Sequence, residues 1–206
     1  MTPTAGAESP MPAPKTLLIA CGALAREVLA LIRANGWTHL EVTAIPAELH
    51  NRPQLIPAAV RDKIRAVRDD YAQIKVLYGD CGTGGRLDAV LAEEGVERIE
   101  GPHCYQIYAG REAFAALAEA ELGTFYLTDY LVRQFDSLVI RGLGLDRHPE
   151  LRDVYFQHYT RLMYLAQTRD AALEAKAREA AGRLGLDYAY RFTGYGELAS
   201  FLARAS

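Results

Sequence analysis

The sequence predicts an α/β fold, with a Rossmann-like, mostly parallel sheet covered by helices on both faces and a helical C-terminal extension. Two observations support this class. Short apolar runs such as residues 16–20 are each followed by a loop and then by helical spacing, and the unit recurs with short connections. The chain has 206 residues, of which 50% are hydrophobic, so it can bury one core without disulfides.

The first half of the chain is expected to contribute four strands and three helices. The strands are expected at residues 16–20, 40–45, 74–78 and 96–100. The helices are expected at residues 23–34, 55–70 and 86–94. Gly36 and Gly95 lie where two of these helices should end, because glycine readily adopts the left-handed conformation that terminates a helix.

The second half is expected to extend the same domain. A helix is expected at residues 111–121, strands at 124–127 and 188–192, and a mainly helical region at 149–185 that is broken near 168–170. Thr128 or Asp129 is placed to cap the helix after the first of these strands. Residues 1–15, rich in Pro and Ala, are expected to form a disordered leader, which leaves residues 16–206 as a single domain.

Composition argues against several partners. A net charge of −3 gives no general attraction to nucleic acid or to an anionic membrane surface. No apolar segment approaches the roughly 20 residues that span a bilayer, and the chain does not start with a secretory signal. The three cysteines are an odd number, so reduced thiols in a cytoplasmic protein are expected rather than a disulfide framework.

The cysteines are the leading candidates for a functional site. Cys21, Cys81 and Cys104 follow the first, third and fourth predicted strands, and His50 follows the second. Parallel strands bring their carboxyl ends to one edge, where ligands of open α/β sheets bind. The sequence therefore predicts a metal site for zinc, or alternatively a 4Fe-4S iron-sulfur cluster. Three buried inert cysteines and a metal-free reactive thiol are the remaining interpretations.

A repeated pattern accompanies two of the cysteines. Cys21-Gly-Ala-Leu-Ala-Arg26 and Cys81-Gly-Thr-Gly-Gly-Arg86 both read C-G-x-x-small-R at a strand-to-helix junction. Arg26 and Arg86 are expected to neutralise an anionic substrate. The glycines of the second unit are also candidates for cofactor binding: Gly82, Gly84 and Gly85. They would let backbone N–H groups approach a ligand closely. A tight turn explains these glycines equally well.

Three further residues are candidates for acid–base catalysis: His103, Asp80 and Asp129. His103 adjoins Cys104, and adjacent residues in an extended segment point in opposite directions, so Cys104 is the preferred ligand. Asp129 has helix capping as its alternative role.

Several phrases of the sequence resemble the DUF1638 family of bacterial and archaeal proteins. They are Ala20-Cys-Gly-Ala, Leu49-His-Asn-Arg-Pro53, Tyr78-Gly-Asp-Cys-Gly-Thr-Gly-Gly85, Gly101-Pro-His-Cys-Tyr105, Gly123-Thr-Phe-Tyr-Leu-Thr-Asp129 and Gly144-Leu-Asp-Arg-His-Pro-Glu150. The resemblance runs from about Lys15 to the C-terminus. It implies an association with corrinoid-dependent methyltransferases and one-carbon metabolism, and it implies no particular catalytic residue.

The sequence thus predicts a metal-dependent enzyme or accessory protein of methyl-transfer metabolism that binds a small anionic or thiol substrate. Zinc at the three cysteines would hold a substrate thiol as its thiolate. The alternatives are an iron-sulfur protein and a non-catalytic chaperone that delivers a metal or corrinoid to a methyltransferase. The chain lacks a D-x-H-x-x-G segment, which weighs against a corrinoid carrier.

Overall fold

The computed structural model describes residues 14–206, which form seven strands and nine α-helices, with one or two helices after each strand. The strands are β1 (Thr16–Cys21), β2 (Leu40–Ile45), β3 (Gln73–Leu77), β4 (Glu97–Arg98), β5 (Thr124–Thr128), β6 (Arg161–Ala166) and β7 (Asp187–Phe192). The helices are α1 (Ala25–Asn35), α2 (Ile56–Val67), α3 (Arg86–Glu94), α4 (Cys104–Ala109), α5 (Arg111–Ala120), α6 (Asp129–Arg133), α7 (Leu151–Phe156), α8 (Ala171–Leu184) and α9 (Gly196–Ala205). The disordered leader predicted for residues 1–15 lies almost wholly outside the described residues.

The strands form two parallel sheets flanked by helices, which confirms the predicted α/β class. The first sheet has the order β2-β1-β3-β4, and the second has the order β5-β6-β7. Every strand pairing described in residues 14–206 is parallel. Among the helices described in that range, none is both long and apolar enough to cross a membrane.

The first sheet is built around β1, whose six residues are all buried. Leu18 pairs with Val42 on one side and with Lys75 on the other, so both edges of the strand are hydrogen-bonded. A continuous apolar run is therefore required, as in other doubly covered parallel sheets. The C-terminal helix α9 returns to this core through Leu198 and Leu202, both fully buried.

The second sheet has its own core and includes a strand that the sequence pattern did not reveal. Residues 161–166 were expected to be helical, but they form β6, the central strand. Leu, Met and Ala are good helix formers. Pairing with β5 and β7 on both sides and burial of the last five residues of β6 override that local preference.

The edge of the first sheet also differs from expectation. The predicted strand at 96–100 is reduced to Glu97–Arg98, because β4 pairs with β3 alone and through only two residues. Cys104, expected in a loop, is the first residue of helix α4. The short strand therefore ends before the turn that leads to Cys104.

Candidate metal centre and adjoining pocket

The structure brings the three cysteines to the same end of the first sheet. Cys21 is the last residue of β1, Cys81 lies in the loop after β3, and Cys104 begins α4. Their thiols lie close enough for charge on one to act on another. Charge on Cys21 raises the pKa of Cys81, and charge on both raises the pKa of Cys104. The three thiols therefore lie at one end of the first sheet, near enough for their charges to interact, and they are called the cysteine cluster below.

Burial is the main reason that the thiol pKa values are high. It raises the pKa of Cys21 to about 11 and that of Cys81 to about 12, and it raises the pKa of Cys104 well above its ordinary value. At neutral pH the cluster is therefore uncharged when nothing neutralises it. A bound cation would reverse this, because metal ions bind thiolates and displace their protons.

His50 presents one ring nitrogen to the cluster. Its Nδ1–H donates to the carbonyl oxygen of Ala47 at 2.8 Å, which leaves Nε2 with a free lone pair. Nε2 lies 4.0 Å from Sγ of Cys21. Burial lowers the pKa of His50, so the ring is neutral near pH 7. Ligand atoms around tetrahedral zinc are roughly 3.5 Å apart, so these two donors need only a small approach.

Glycines let the loops that carry these groups pack closely. A Cβ on Gly22 would lie 3.2 Å from the carbonyl oxygen of Ile45, at the end of the neighbouring strand β2. A Cβ on Gly79 would lie 3.1 Å from the backbone of His103. Both distances are tighter than most Cβ contacts, so a side chain at either position would push the neighbouring backbone slightly away. The first glycine brings Cys21 toward the loop of His50, and the second brings the loops of Cys81 and Cys104 together.

Cys81 has an unusual backbone conformation. Its φ of +47° is in the left-handed region, and it is the only non-glycine residue with positive φ in the described part of the chain. Its N–H donates to the carbonyl oxygen of Pro102 at 2.7 Å. A side chain in this conformation costs about 1 kcal/mol or more, and such strain concentrates at functional sites. A cysteine therefore occupies a position at which glycine would adopt the observed backbone conformation more easily.

Tyr78 is a site residue that the sequence reasoning missed. It is fully buried, and its ring stacks on that of His50 with centroids 5.4 Å apart. Its hydroxyl lies within reach of the Cys21 thiol, and a hydrogen bond between them lowers the pKa of Cys21 and raises that of Tyr78. Burial is the largest cause of the raised pKa of Tyr78, followed by charge on Cys21 and Cys81. The available signal was its position, directly after an apolar strand and three residues before Cys81.

Arg98 supports the loops around the cluster. Its guanidinium donates to the carbonyl oxygens of Ile99 at 2.9 Å and Gly101 at 3.3 Å. It also donates to that of Tyr78 at 3.4 Å. Its positive charge favours the Cys81 thiolate by lowering the pKa of that thiol, although burial has the larger, opposite effect.

The side chains are not arranged as a finished metal site. Within residues 14–206, no three His, Cys, Asp or Glu side chains are positioned together as a ligand set for a metal ion. A metal bound here would require the thiols to rotate toward a common centre. The cluster is therefore a candidate centre, defined by its donors and their proximity rather than by preformed coordination.

An apolar pocket of about 220 Å³ opens beside the cluster. Its polar groups include His50, Asn51 and Cys104, which come from the loops of the first sheet and from α4. Its apolar wall comes from the second half of the chain and contains Phe125, Leu131, Leu138, Val139 and Leu143. The pocket thus lies between the two sheets and at the carboxyl ends of strands, where α/β proteins commonly bind ligands.

The glycine-rich loop after Cys81 is organised by Asp80. Its carboxylate accepts hydrogen bonds from the Thr83 hydroxyl at 2.6 Å, the Gly85 N–H at 2.9 Å and the Gly84 N–H at 3.2 Å. The Thr83 hydrogen bond is the main cause of the lowered pKa of Asp80. Gly82, Gly84 and Gly85 all have positive φ. Their observed use is a tight turn closed by Asp80.

The two arginines of the repeated pattern lie apart from the pocket. Arg26 and Arg86 are exposed, and the Nε–H of Arg86 donates to the Thr83 carbonyl oxygen at 2.9 Å. His103 is also exposed, with its ring edge-on to those of Tyr105 and Phe114. None of the described residues that line the pocket is an arginine or lysine.

Asp129 is the first residue of helix α6, directly after strand β5 of the second sheet, and is fully buried. Its Oδ1 accepts from the Tyr164 hydroxyl at 2.7 Å and from the Gln167 N–H at 2.9 Å. Its Oδ2 accepts from the hydroxyl of Thr168 at 2.5 Å and from its N–H at 3.1 Å. Arg133 lies 3.6 Å away. These contacts tie the end of β5 to the end of β6, and the capping role belongs to Thr128, whose hydroxyl accepts from the Leu131 N–H.

Glu27 leads to a prediction about stability and pH. It is 3% exposed, and burial raises its pKa above the ordinary value of 4.5 despite Arg133 at 3.9 Å. The folded state must ionise this buried carboxyl as pH rises through the raised pKa, so stability is lost in that direction. Glu27→Gln should therefore raise the free energy of unfolding at pH 7.5, measured by urea denaturation.

The difference should disappear as the pH falls to about 3, well below the ordinary value of 4.5, because the carboxyl is then protonated in both states. Glu179→Gln on the exposed face of α8 serves as the control and should change stability little at either pH. If Glu27→Gln is less stable than wild type at pH 7.5, interactions of the ionised carboxylate in the folded state, such as that with Arg133, outweigh the cost of burying it.

Comparison with known proteins gives one match. A family model described as "Protein of unknown function (DUF1638)" matches residues 44–202. No curated protein and no solved structure matches the chain significantly. The matched region is narrower than the resemblance expected from about Lys15, and it contains Cys81 and Cys104 but begins after Cys21.

Proposed function

The chain belongs to the DUF1638 family, and we propose that it binds a thiophilic metal ion, zinc, through Cys21, Cys81 and Cys104. In this proposal it is a metal-dependent enzyme or accessory protein that acts on a small thiol in methyl-transfer metabolism. The observation that supports the proposal is the position of three thiols at one end of the first sheet, around a buried Tyr78 hydroxyl that interacts with the Cys21 thiol.

The chemistry of the donors supports zinc. Thiolates and imidazole are common zinc ligands, and three protein ligands leave a fourth position for a substrate. The Nδ1–H of His50 is held by a backbone carbonyl, which is the usual arrangement that orients a metal-binding imidazole. His50 is therefore a further ligand that a substrate thiol could replace. The high thiol pKa values fit a site whose thiolates are formed only with a cation present.

The surrounding residues would suit thiol chemistry. A zinc ion bound here would act as a Lewis acid and hold a substrate thiol as the nucleophilic thiolate. The Tyr78 hydroxyl would donate a hydrogen bond to the sulfur of Cys21. The apolar wall of the pocket would exclude water from the bound sulfur. These properties are those required for alkyl transfer to sulfur.

A 4Fe-4S cluster is the second candidate, because three cysteines suffice for a cluster with one open iron. The free Nε2 of His50 beside Cys21 favours zinc, since such a cluster would not require it. A non-catalytic chaperone for a metal or corrinoid would use the same thiols for transfer rather than for catalysis.

The proposal is tested by metal analysis and zinc titration of protein purified under anaerobic conditions. We expect one zinc per chain and no visible absorbance. Affinity, measured by competition with a chromophoric chelator, should rise about tenfold per pH unit for each thiol proton released between pH 6.5 and 8.

A brown protein with visible absorbance would indicate the iron-sulfur cluster instead. Failure to bind metal under any loading condition would contradict the proposal. A zinc affinity that does not change with pH would show that the buried thiols are not the ligands.

A further inference from the structure

We propose that the pocket selects small uncharged thiols with an apolar body and that the π-helix at Asp136–Arg141 limits the size of that body. This inference rests on the proposed function, because it assigns the sulfur of the thiol to the cysteine cluster. It replaces the anionic substrate expected from the sequence with an uncharged one.

The charges around the pocket argue against an anion. None of its described lining residues is an arginine, a lysine, an aspartate or a glutamate. A negative group in the pocket would therefore be desolvated without a cationic partner in the lining.

The volume of the pocket limits the ligand. An apolar cavity of about 150 Å³ accommodates benzene. The 220 Å³ observed here thus admits a body somewhat larger than one benzene ring. Both His50 and Cys104 line the pocket, so a thiol whose body occupied the apolar wall would have its sulfur within reach of the cluster.

The π-helix supplies part of that wall through Leu138 and Val139. The helix is followed by Gly142, where a Cβ would lie 2.2 Å from the carbonyl oxygen of Leu138. Only glycine can occupy that position without moving the backbone. π-helices are rare and are frequent at functional sites, since the wider turn redirects side chains. This part of the pocket wall therefore depends on a π-helix that requires glycine at position 142.

The experiment uses the full chain loaded with cobalt, whose absorption reports the binding of a thiol to the metal. Phenylmethanethiol and 1-propanethiol are compared with 3-mercaptopropionate and 2-mercaptoethanesulfonate at pH 7.5. We expect the uncharged thiols to bind at least tenfold more tightly. Leu138→Trp should weaken the binding of phenylmethanethiol at least tenfold and leave the binding of 1-propanethiol unchanged. Leu138→Ala should enlarge the pocket enough for 2-naphthalenethiol to bind. Leu29→Trp, at an exposed position of α1, should change neither preference.

The same panel is applied to metal-free protein by ligand-observed NMR, so that the selectivity of the pocket is measured even if no metal binds. Absence of cobalt binding with retained preference for uncharged ligands would contradict the proposed function alone. Equal or tighter binding of the anionic thiols would overturn the inference. Unchanged size selection in both Leu138 variants would show that the π-helix does not limit the ligand.

Discussion

Replacement of Cys81 by serine should reduce zinc affinity by about a hundredfold or more. The serine hydroxyl is a hard donor that keeps its proton, so the site loses one of three thiolates. Serine has nearly the same size as cysteine, and the positive φ at this position imposes the same cost on both residues. The change should therefore affect metal binding far more than folding. Chelator competition and thermal unfolding measure the two effects separately.

The chain contains only three cysteines, so Cys21→Ser and Cys104→Ser complete the set. Each should have an effect similar to that of Cys81→Ser. His103→Gln is the matched control, because this imidazole adjoins Cys104 but is exposed. It should retain wild-type affinity. If Cys81→Ser binds zinc as tightly as wild type does, Cys81 is not a ligand.

Replacement of Asp129 by alanine should lower the free energy of unfolding by roughly 3–5 kcal/mol. The change would remove the acceptor for the Tyr164 hydroxyl and for the N–H groups of Gln167 and Thr168. It would also remove the nearer of the two buried carboxylates beside Arg133 and leave only Glu27 at 3.9 Å. Hydrogen-bonding groups left without a partner inside a protein are costly. Urea denaturation measures the loss.

Asp153→Ala provides the comparison for this carboxylate. Asp153 forms an exposed ion pair with Arg152 at 2.7 Å, which should contribute less than about 1 kcal/mol. Zinc binding by folded Asp129→Ala protein should be retained. A loss of stability below 1 kcal/mol for Asp129→Ala would mean that the buried network is not a principal support of the second sheet.

The first sheet was predictable because each of its three long strands is a short apolar run bounded by a turn. Residues 40–45 were predicted with the observed limits, and so was the helix at 86–94. The second sheet was harder to predict from the sequence. Its central strand β6 is rich in helix-forming Leu and Ala, and only its two parallel neighbours make it a strand.

That missed strand explains why the environment of Asp129 was not anticipated. Its partners Tyr164, Gln167 and Thr168 lie in or after β6, so a helical interpretation of this region could not bring them to Asp129. Tyr78 escaped notice for a different reason. An aromatic residue at the end of an apolar run is typical of a core strand, and only the packing around its hydroxyl distinguishes it.

The placement of the three cysteines at one end of the first sheet was predictable, because it depends on strand order and direction. The orientation of the thiols depends on loop packing at Gly22 and Gly79 and on the conformation of Cys81. The apolar wall depends on a π-helix, which the sequence pattern of residues 136–141 does not distinguish from an ordinary helix.

The most direct test of the central claim is X-ray absorption spectroscopy of the zinc-loaded protein, because it counts the ligand atoms. The proposed centre predicts three sulfur atoms at about 2.3 Å and one nitrogen or oxygen at about 2.0 Å. Zinc surrounded only by nitrogen and oxygen atoms, or a protein that retains no zinc, would contradict a metal centre built from Cys21, Cys81 and Cys104.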